Sequence, residues 1–162
     1  MTHSPLAAVL GRLPSGIFIL SARTSAHGQS LETGMLASWV MQAGFEPPMV
    51  TVAVGSKRYL AEWLAHGEPF ALSLVGHEQA SFLKHFGKGF EPGEPAFAGL
   101  ELTRSPAGLP VLRASLGYLE CRVRSHVDSE DHRIFLAEVL AGELFDADTR
   151  PMVHVRKNGL HY

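Results

Sequence analysis

The stretch Thr33–Val54, "TGMLASWVMQAGFEPPMVTVAV", decides how the rest of the chain is read. In its second half, Met49 to Val54, Val50, Val52 and Val54 alternate with Thr51 and Ala53, the period of a half-buried strand. Its first half belongs to a second predicted strand, Leu31 to Met41, and a turn holding Pro47 and Pro48 joins the two. That first strand interrupts its apolar pattern with Gly34, Ala37 and Ser38, which fill a core poorly. A strand gives up side-chain volume where something lies close against its backbone. Two occupants fit the spacing. One is a flat aromatic ligand, held by backbone polar groups and the Ser38 hydroxyl with Met35 and Trp39 as bulky neighbours. The other is close packing against a helix or another subunit, and spacing alone favours this second one.

Working outward, the pattern predicts a short helix over Pro5–Arg12, a strand over Gly16–Ala22 and a turn around His27–Gln29. After Val54 comes a helix from Lys57 to His66, with Ser56 as N-cap, Leu60, Trp63 and Leu64 on one face and Gly67 past its end. A strand over Pro69–Val75 and a helix over Glu78–Phe86 follow, then the irregular stretch Gly87–Gly99, whose glycines and prolines exclude regular structure. Strands are predicted at Leu100–Arg104, Ala114–Val127 and His132–Leu144, with a final pair near Met152–Val155 and Leu160–Tyr162. Seven or eight strands with few helices imply a mainly β, antiparallel barrel or sandwich. No G-x-G-x-x-G occurs, so a Rossmann site is not supported.

The 162 residues are the length of one domain and contain no repeat or linker, so a single domain over 1–162 is expected. Fourteen Lys and Arg against sixteen Asp and Glu lack the basic excess of a nucleic-acid binder. No apolar run approaches 18 residues and the N-terminus does not read as a secretory signal, so no membrane association and a cytoplasmic location are expected. Cys121 is the only cysteine; in "YLECRV" it reads as a buried structural thiol. "HVDSEDH", His126–His132, matches no zinc spacing, and no metal site is assigned.

The strongest local signal for chemistry is "VGSKRYLAEWL". Gly55 permits a tight turn, and Lys57 and Arg58 follow the Ser56 cap at a helix N-terminus, the end that disfavours cations. A bound anion resolves the conflict, with amides, the Ser56 hydroxyl and two basic side chains forming a phosphate cradle. Solvated surface cations are the equally weighted alternative. The tail "VHVRKNGLHY" gathers His154, Arg156, Lys157 and His161 near a Gly159 turn, fitting either an interface or polyanion contact or a solvated basic hairpin.

Together "GMLASWV", "EPPMVTVAV", "FALSLV" and "EDH" resemble the flavin reductase-like family, over about Gly11–Tyr162. "KHFGKGFEPGEPAFAGLE", "YLECRV" and "VHVRKNGLHY" sharpen the likeness toward the C-terminal flavin reductase module of the cyanobacterial diflavin flavoproteins, the flavodiiron group. Only this module is recognisable, so dioxygen reduction at a diiron centre is not implied. The resemblance implies an FMN-binding split β-barrel, antiparallel with a Greek key and two or three short helices. It implies FMN with its ring along Met35, Leu36, Ala37, Ser38 and Trp39, its phosphate at Ser56, Lys57 and Arg58, Gly55 among the cofactor-binding residues, and Phe86 and Lys88 closing over it. His132 would position the nicotinamide of NADH or NADPH, and Glu130 stands where the family has glycine, leaving the conformation of that turn open. A homodimer is implied, as is hydride transfer to flavin N5 with electrons passed to an acceptor protein or monooxygenase. The alternatives are a non-enzymatic FMN electron-transfer module served by a protein partner, and a flavin-free barrel.

Overall fold

A computed structural model of the chain describes residues 4–25 and 28–161. The expected turn at His27 and the terminal Tyr162 lie outside them. The elements are α1 (Pro5–Gly11), β1 (Ser15–Gly16), β2 (Phe18–Thr24), β3 (Leu31–Ala37), β4 (Val40–Phe45), β5 (Pro48–Gly55), α2 (Tyr59–Ala65), β6 (Phe70–Leu74), α3 (Ala80–Phe86), β7 (Leu102–Arg104), β8 (Pro110–Leu112), β9 (Gly117–Ser129), β10 (His132–Leu144) and β11 (Val153–His154). The architecture is the expected mainly β, antiparallel split barrel with three short helices.

Seven strands form one antiparallel sheet in the order β3-β2-β6-β9-β10-β5-β4. Its two outermost strands, β3 and β4, are consecutive in sequence and separated only by Ser38 and Trp39. The chain therefore steps directly from one edge of the sheet to the other, which requires the sheet to curl until its edges meet. Trp39 C=O accepts a hydrogen bond from Ala53 N–H at 3.0 Å, tying this corner to β5. Closure removes most exposed edge. The single strand expected over Leu31–Met41 is thus two strands. Met35 and Ala37 face the core, and the next core residue is Val40, a step of three that breaks the two-residue alternation.

The barrel interior is filled by Met35 and Ala37 from one edge, Val50, Val52 and Val54 from β5, and Phe70 and Phe135 from the middle of the sheet. Helix α2 closes the barrel through Leu60, Ala61 and Leu64. It carries the chain from β5 to β6, which lies beyond β9 and β10 in the sheet. Burying one such Leu or Phe contributes about 1.5–3 kcal/mol. A second apolar layer, with Ile17, Ile19, Phe82, Phe86 and Leu112, covers the outer face of β2. Cys121 sits in the barrel core, where burial pushes its thiol up to about 12.

Three local expectations are corrected. Helix α2 begins at Tyr59, with Arg58 at the N-cap position and no side-chain cap. Strand β5 keeps its ladder through Gly55, opposite His132, and Ser56 N–H continues it by bonding Asp131 C=O at 2.9 Å. Strand β8, which begins at Pro110 and pairs only with β7, was not expected. In the tail, Val153–His154 pairs with Ser15–Gly16, and Leu160 is not in a strand. The following residues lie on α1, where Arg156 N–H and Gly159 N–H bond Gly11 and Ala7 carbonyls.

Candidate functional site

A cleft opens where the barrel seam meets α3 and the 87–99 loop. Its narrow inner part, about 150 Å³, is lined by Met35, Leu36, Ala37, Ser38, Gly55 and Phe86, among others. Its wider mouth, about 570 Å³, is lined by Lys57, Arg58, Tyr59, Lys88, Phe90 and Glu94, among others. Met35 and Arg58 border both parts, so the two are continuous. The mouth alone falls in the size range of small-molecule pockets.

The small residues of β3 and of the corner after it have three different explanations. A Cβ on Gly34 would lie 2.9 Å from both Phe86 Cε1 and Phe97 Cζ, so that glycine admits the aromatic rings of α3 and the loop. The packing alternative therefore holds at Gly34. Ala37 is a core residue of the barrel. Ser38 is half-buried and faces the cleft. Gly55 differs again: a Cβ there would meet only Arg58 Cγ at 3.9 Å, so the missing side chain leaves cleft space open.

Lys57, Arg58 and Lys88 converge on the mouth, are exposed, and make no ion pair among the described residues. Glu91 and Glu94 share the mouth, but Glu94 Oε2 accepts the Glu91 backbone N–H at 2.7 Å. The cations lie on the turn before α2 and on the loop after α3, and α2 is too short to supply the expected helix-end cradle. Ser56 directs its hydroxyl away from the mouth, donating to Glu130 C=O at 3.2 Å.

The loop that carries Lys88 is fastened to the barrel by a relay absent from the sequence reading. Tyr59 Oη donates to Phe90 C=O at 2.6 Å and lies 2.9 Å from Thr33 Oγ1. A phenol has one hydrogen, so the Thr33 hydroxyl donates to Tyr59. Burial, first among its causes, holds the Tyr59 phenol above its ordinary value. Farther along, His85 Nε2–H donates to Ala96 C=O at 2.7 Å. Phe86, Phe90 and Phe97 pack with ring centroids 5.8 and 5.9 Å apart.

Trp39 and His132 lie around the corner from the cleft lining, with their ring centroids 4.7 Å apart. The Arg156 guanidinium lies 5.2 Å from the Trp39 ring centroid. His132 Nδ1–H donates to the Asp131 carboxylate at 2.8 Å, which draws Asp131 below the usual carboxylate range. Glu130 adopts φ 61°, the left-handed conformation that glycine reaches more easily. His126 packs on Phe135 instead, and among the described residues no three His, Cys, Asp or Glu side chains gather as a metal site.

An antiparallel split barrel thus carries at its seam a cleft that is mainly apolar within and cationic at its mouth. The sequence matches the family described as flavin reductase like domain over residues 10–159, and the chain belongs to that family. Diflavin flavoprotein A 1 of Synechocystis sp. is 37% identical over 160 residues, covering 98% of this chain. The chain spans only 27% of that relative's length. The styrene monooxygenase flavin reductase SMOB of Pseudomonas putida S12 superposes with a TM-score of 0.76 at 30% identity, covering 94% of this chain and 93% of that one. The Streptomyces globisporus C-1027 NADH:FAD oxidoreductase SgcE6 shares the fold at a TM-score of 0.81 and 24% identity, covering 91% and 85%. No helix among the described residues is long and apolar enough to cross a membrane.

Proposed function

We propose that this domain binds FMN in the seam cleft and reduces it with NADH or NADPH, passing the electrons to a separate acceptor. The observation that carries this reading is the group of three cations, without ion-pair partners among the described residues, at the mouth of a cleft whose inner part is mainly apolar. A phosphate monoester brings about −1.5 to −2 charge at pH 7, which suits three cations facing two carboxylates. The inner strand Met35–Ser38 suits a flat ring, and the open volume at Gly55 adds room.

When bound, the flavin would supply the chemistry, as an acceptor at N5 of a hydride from nicotinamide C4, two electrons with one proton, which would add one negative charge to the ring. The protein's part is to bind and orient. In this reading Lys57, Arg58 and Lys88 hold the phosphate. Met35, Leu36, Ala37, Ser38, Gly55 and Phe86 bound the ring. Trp39 and Ser56 fix the corner and the turn beside it, and His132, braced by Asp131 and Trp39, stands at the approach of the nicotinamide.

The phosphate assignment is tested by titrating FMN and riboflavin into the protein and its Arg58→Ala variant. Loss of one charge-assisted contact, about 1.5–3 kcal/mol, weakens FMN by roughly tenfold to a hundredfold and riboflavin far less. Equal effects on both ligands, or none, refute it. Anaerobic mixing with NADH or NADPH tests the reaction, since rapid bleaching of the oxidised flavin band is expected. Absence of bleaching favours the second reading, an electron-transfer module served by a protein partner, which the position of His132 outside the cleft lining supports. We further propose a homodimer that covers the apolar depression at Leu13, Val40 and Met41, where Leu13 and Met41 are 61% and 65% exposed. Sedimentation of a monomer at micromolar concentration would refute it. The acceptor in this reading is a monooxygenase or another electron-accepting protein.

A further inference from the structure

His154 is the one histidine that lines the cleft among the described residues, and the proposed function gives it no role. It occupies the second position of β11, paired with Ser15 of β1. Val153 beside it is 67% exposed, so the strand's alternation turns His154 inward. There it borders the narrow inner part with Met35, Leu36, Ser38 and Phe86. Its side chain makes no hydrogen bond or ion pair among the described residues, whereas the His132 ring is engaged by Asp131. A half-buried imidazole without a partner, facing a cleft, has a donor to offer a ligand.

Its surroundings decide what it would meet. Ile17 beyond β1, Ser38 at the corner, Ala53 and Gly55 on β5, and Leu83 and Phe86 on α3 bring no charge to this part of the cleft. Among the described residues Arg58 is the only charged side chain that lines it.

We propose that His154 contacts the bound flavin ring and stabilises its reduced, negatively charged form by donating an imidazole N–H to the ring edge that carries the charge. This rests on the FMN reading of the cleft. The ring carries the added negative charge only when reduced, so a hydrogen bond donated to that edge favours the reduced flavin and raises its potential.

The test uses the full chain and its His154→Leu and His154→Gln variants, each titrated with FMN and poised against redox dyes at one fixed pH. His154→Leu is expected to keep its affinity for oxidised FMN and to bind reduced FMN about tenfold more weakly, a potential about 30 mV more negative. His154→Gln, which keeps an N–H donor, is expected to retain most of the wild-type potential. A His154→Leu potential matching wild type overturns the assignment. Should His154→Leu fail to fold, the glutamine variant and the wild-type imidazole NMR signals decide: an unmoved His154 ring on FMN addition overturns it. A wild-type chain that binds no FMN overturns the cofactor reading as well, and that result precedes any variant.

Discussion

Replacing Tyr59 with Phe removes one oxygen and separates the loop from the barrel. In the native protein Thr33, fully buried on β3, donates to Tyr59, and Tyr59 donates to Phe90 C=O. Tyr59→Phe leaves the Thr33 hydroxyl buried without a partner, which costs about 1–3 kcal/mol. The Phe90 carbonyl is half-buried, so water replaces part of its lost donor. A total of about 2 kcal/mol corresponds to a Tm lower by roughly 4–8 °C for a domain of this size. Thr33→Val should cost less, because Tyr59 still reaches Phe90. The double variant leaves no orphaned hydroxyl and should be more stable than the sum of the singles by about 1 kcal/mol. Denaturant unfolding of the four proteins measures this, and additivity within about 0.5 kcal/mol would refute the relay. Freed of its anchor, the loop should also release FMN faster in stopped flow. The phenol's pKa is raised in the folded state, so above pH 10.0 the unfolded chain loses that proton first and stability falls as pH rises. Tyr59→Phe should flatten this slope without abolishing it, because Tyr118 and Cys121 are shifted in the same direction.

Gly34→Ala places a methyl 2.9 Å from two aromatic carbons, and such overpacking should cost about 1–3 kcal/mol by urea unfolding. Glu130→Gly should raise the denaturation midpoint at unchanged m-value, a gain in stability of up to about 1.5 kcal/mol. Relief of a left-handed residue, about 1–2 kcal/mol, outweighs the chain entropy glycine loses, about 0.5–1 kcal/mol. Cys121, raised to about 12 by burial, should resist thiol reagents in the native protein at pH 8 and react once denaturant exposes it.

Much of the barrel was legible because β5, β9 and β10 carry their own alternation, and β10 runs over His132–Leu144 as read. The corner at Ser38–Trp39 was not, since small and apolar residues run on through it. Only the step from Ala37 to Val40 between core positions betrays it, and that step shows once the inward face is known. The misplaced start of α2 has a similar cause. Ser56 fits a cap locally, but its backbone N–H was already committed to Asp131, 75 residues away in sequence, which no local pattern reports. Lys57, Arg58, Phe86 and Lys88 were singled out in the sequence and the fold brings them to one cleft. Tyr59, Thr33 and Phe90 went unnoticed because each looks ordinary in its own element. His154 sat in a basic tail whose pairing with β1 is a tertiary event.

The cation group at the mouth is hard to explain as a by-product of surface composition. The chain carries more acidic than basic residues, and two carboxylates line the same mouth. Of those carboxylates, Glu94 holds the Glu91 amide. Three cations gathered without such partners repel one another, an arrangement that becomes favourable when an anion enters between them. In the proposed reading, Lys57 and Arg58 on the turn after β5 and Lys88 on the loop tethered by Tyr59 would hold one phosphate between the two walls of the cleft. A dianionic ligand would then supply a charge balance that a neutral ring of the same shape would leave undone.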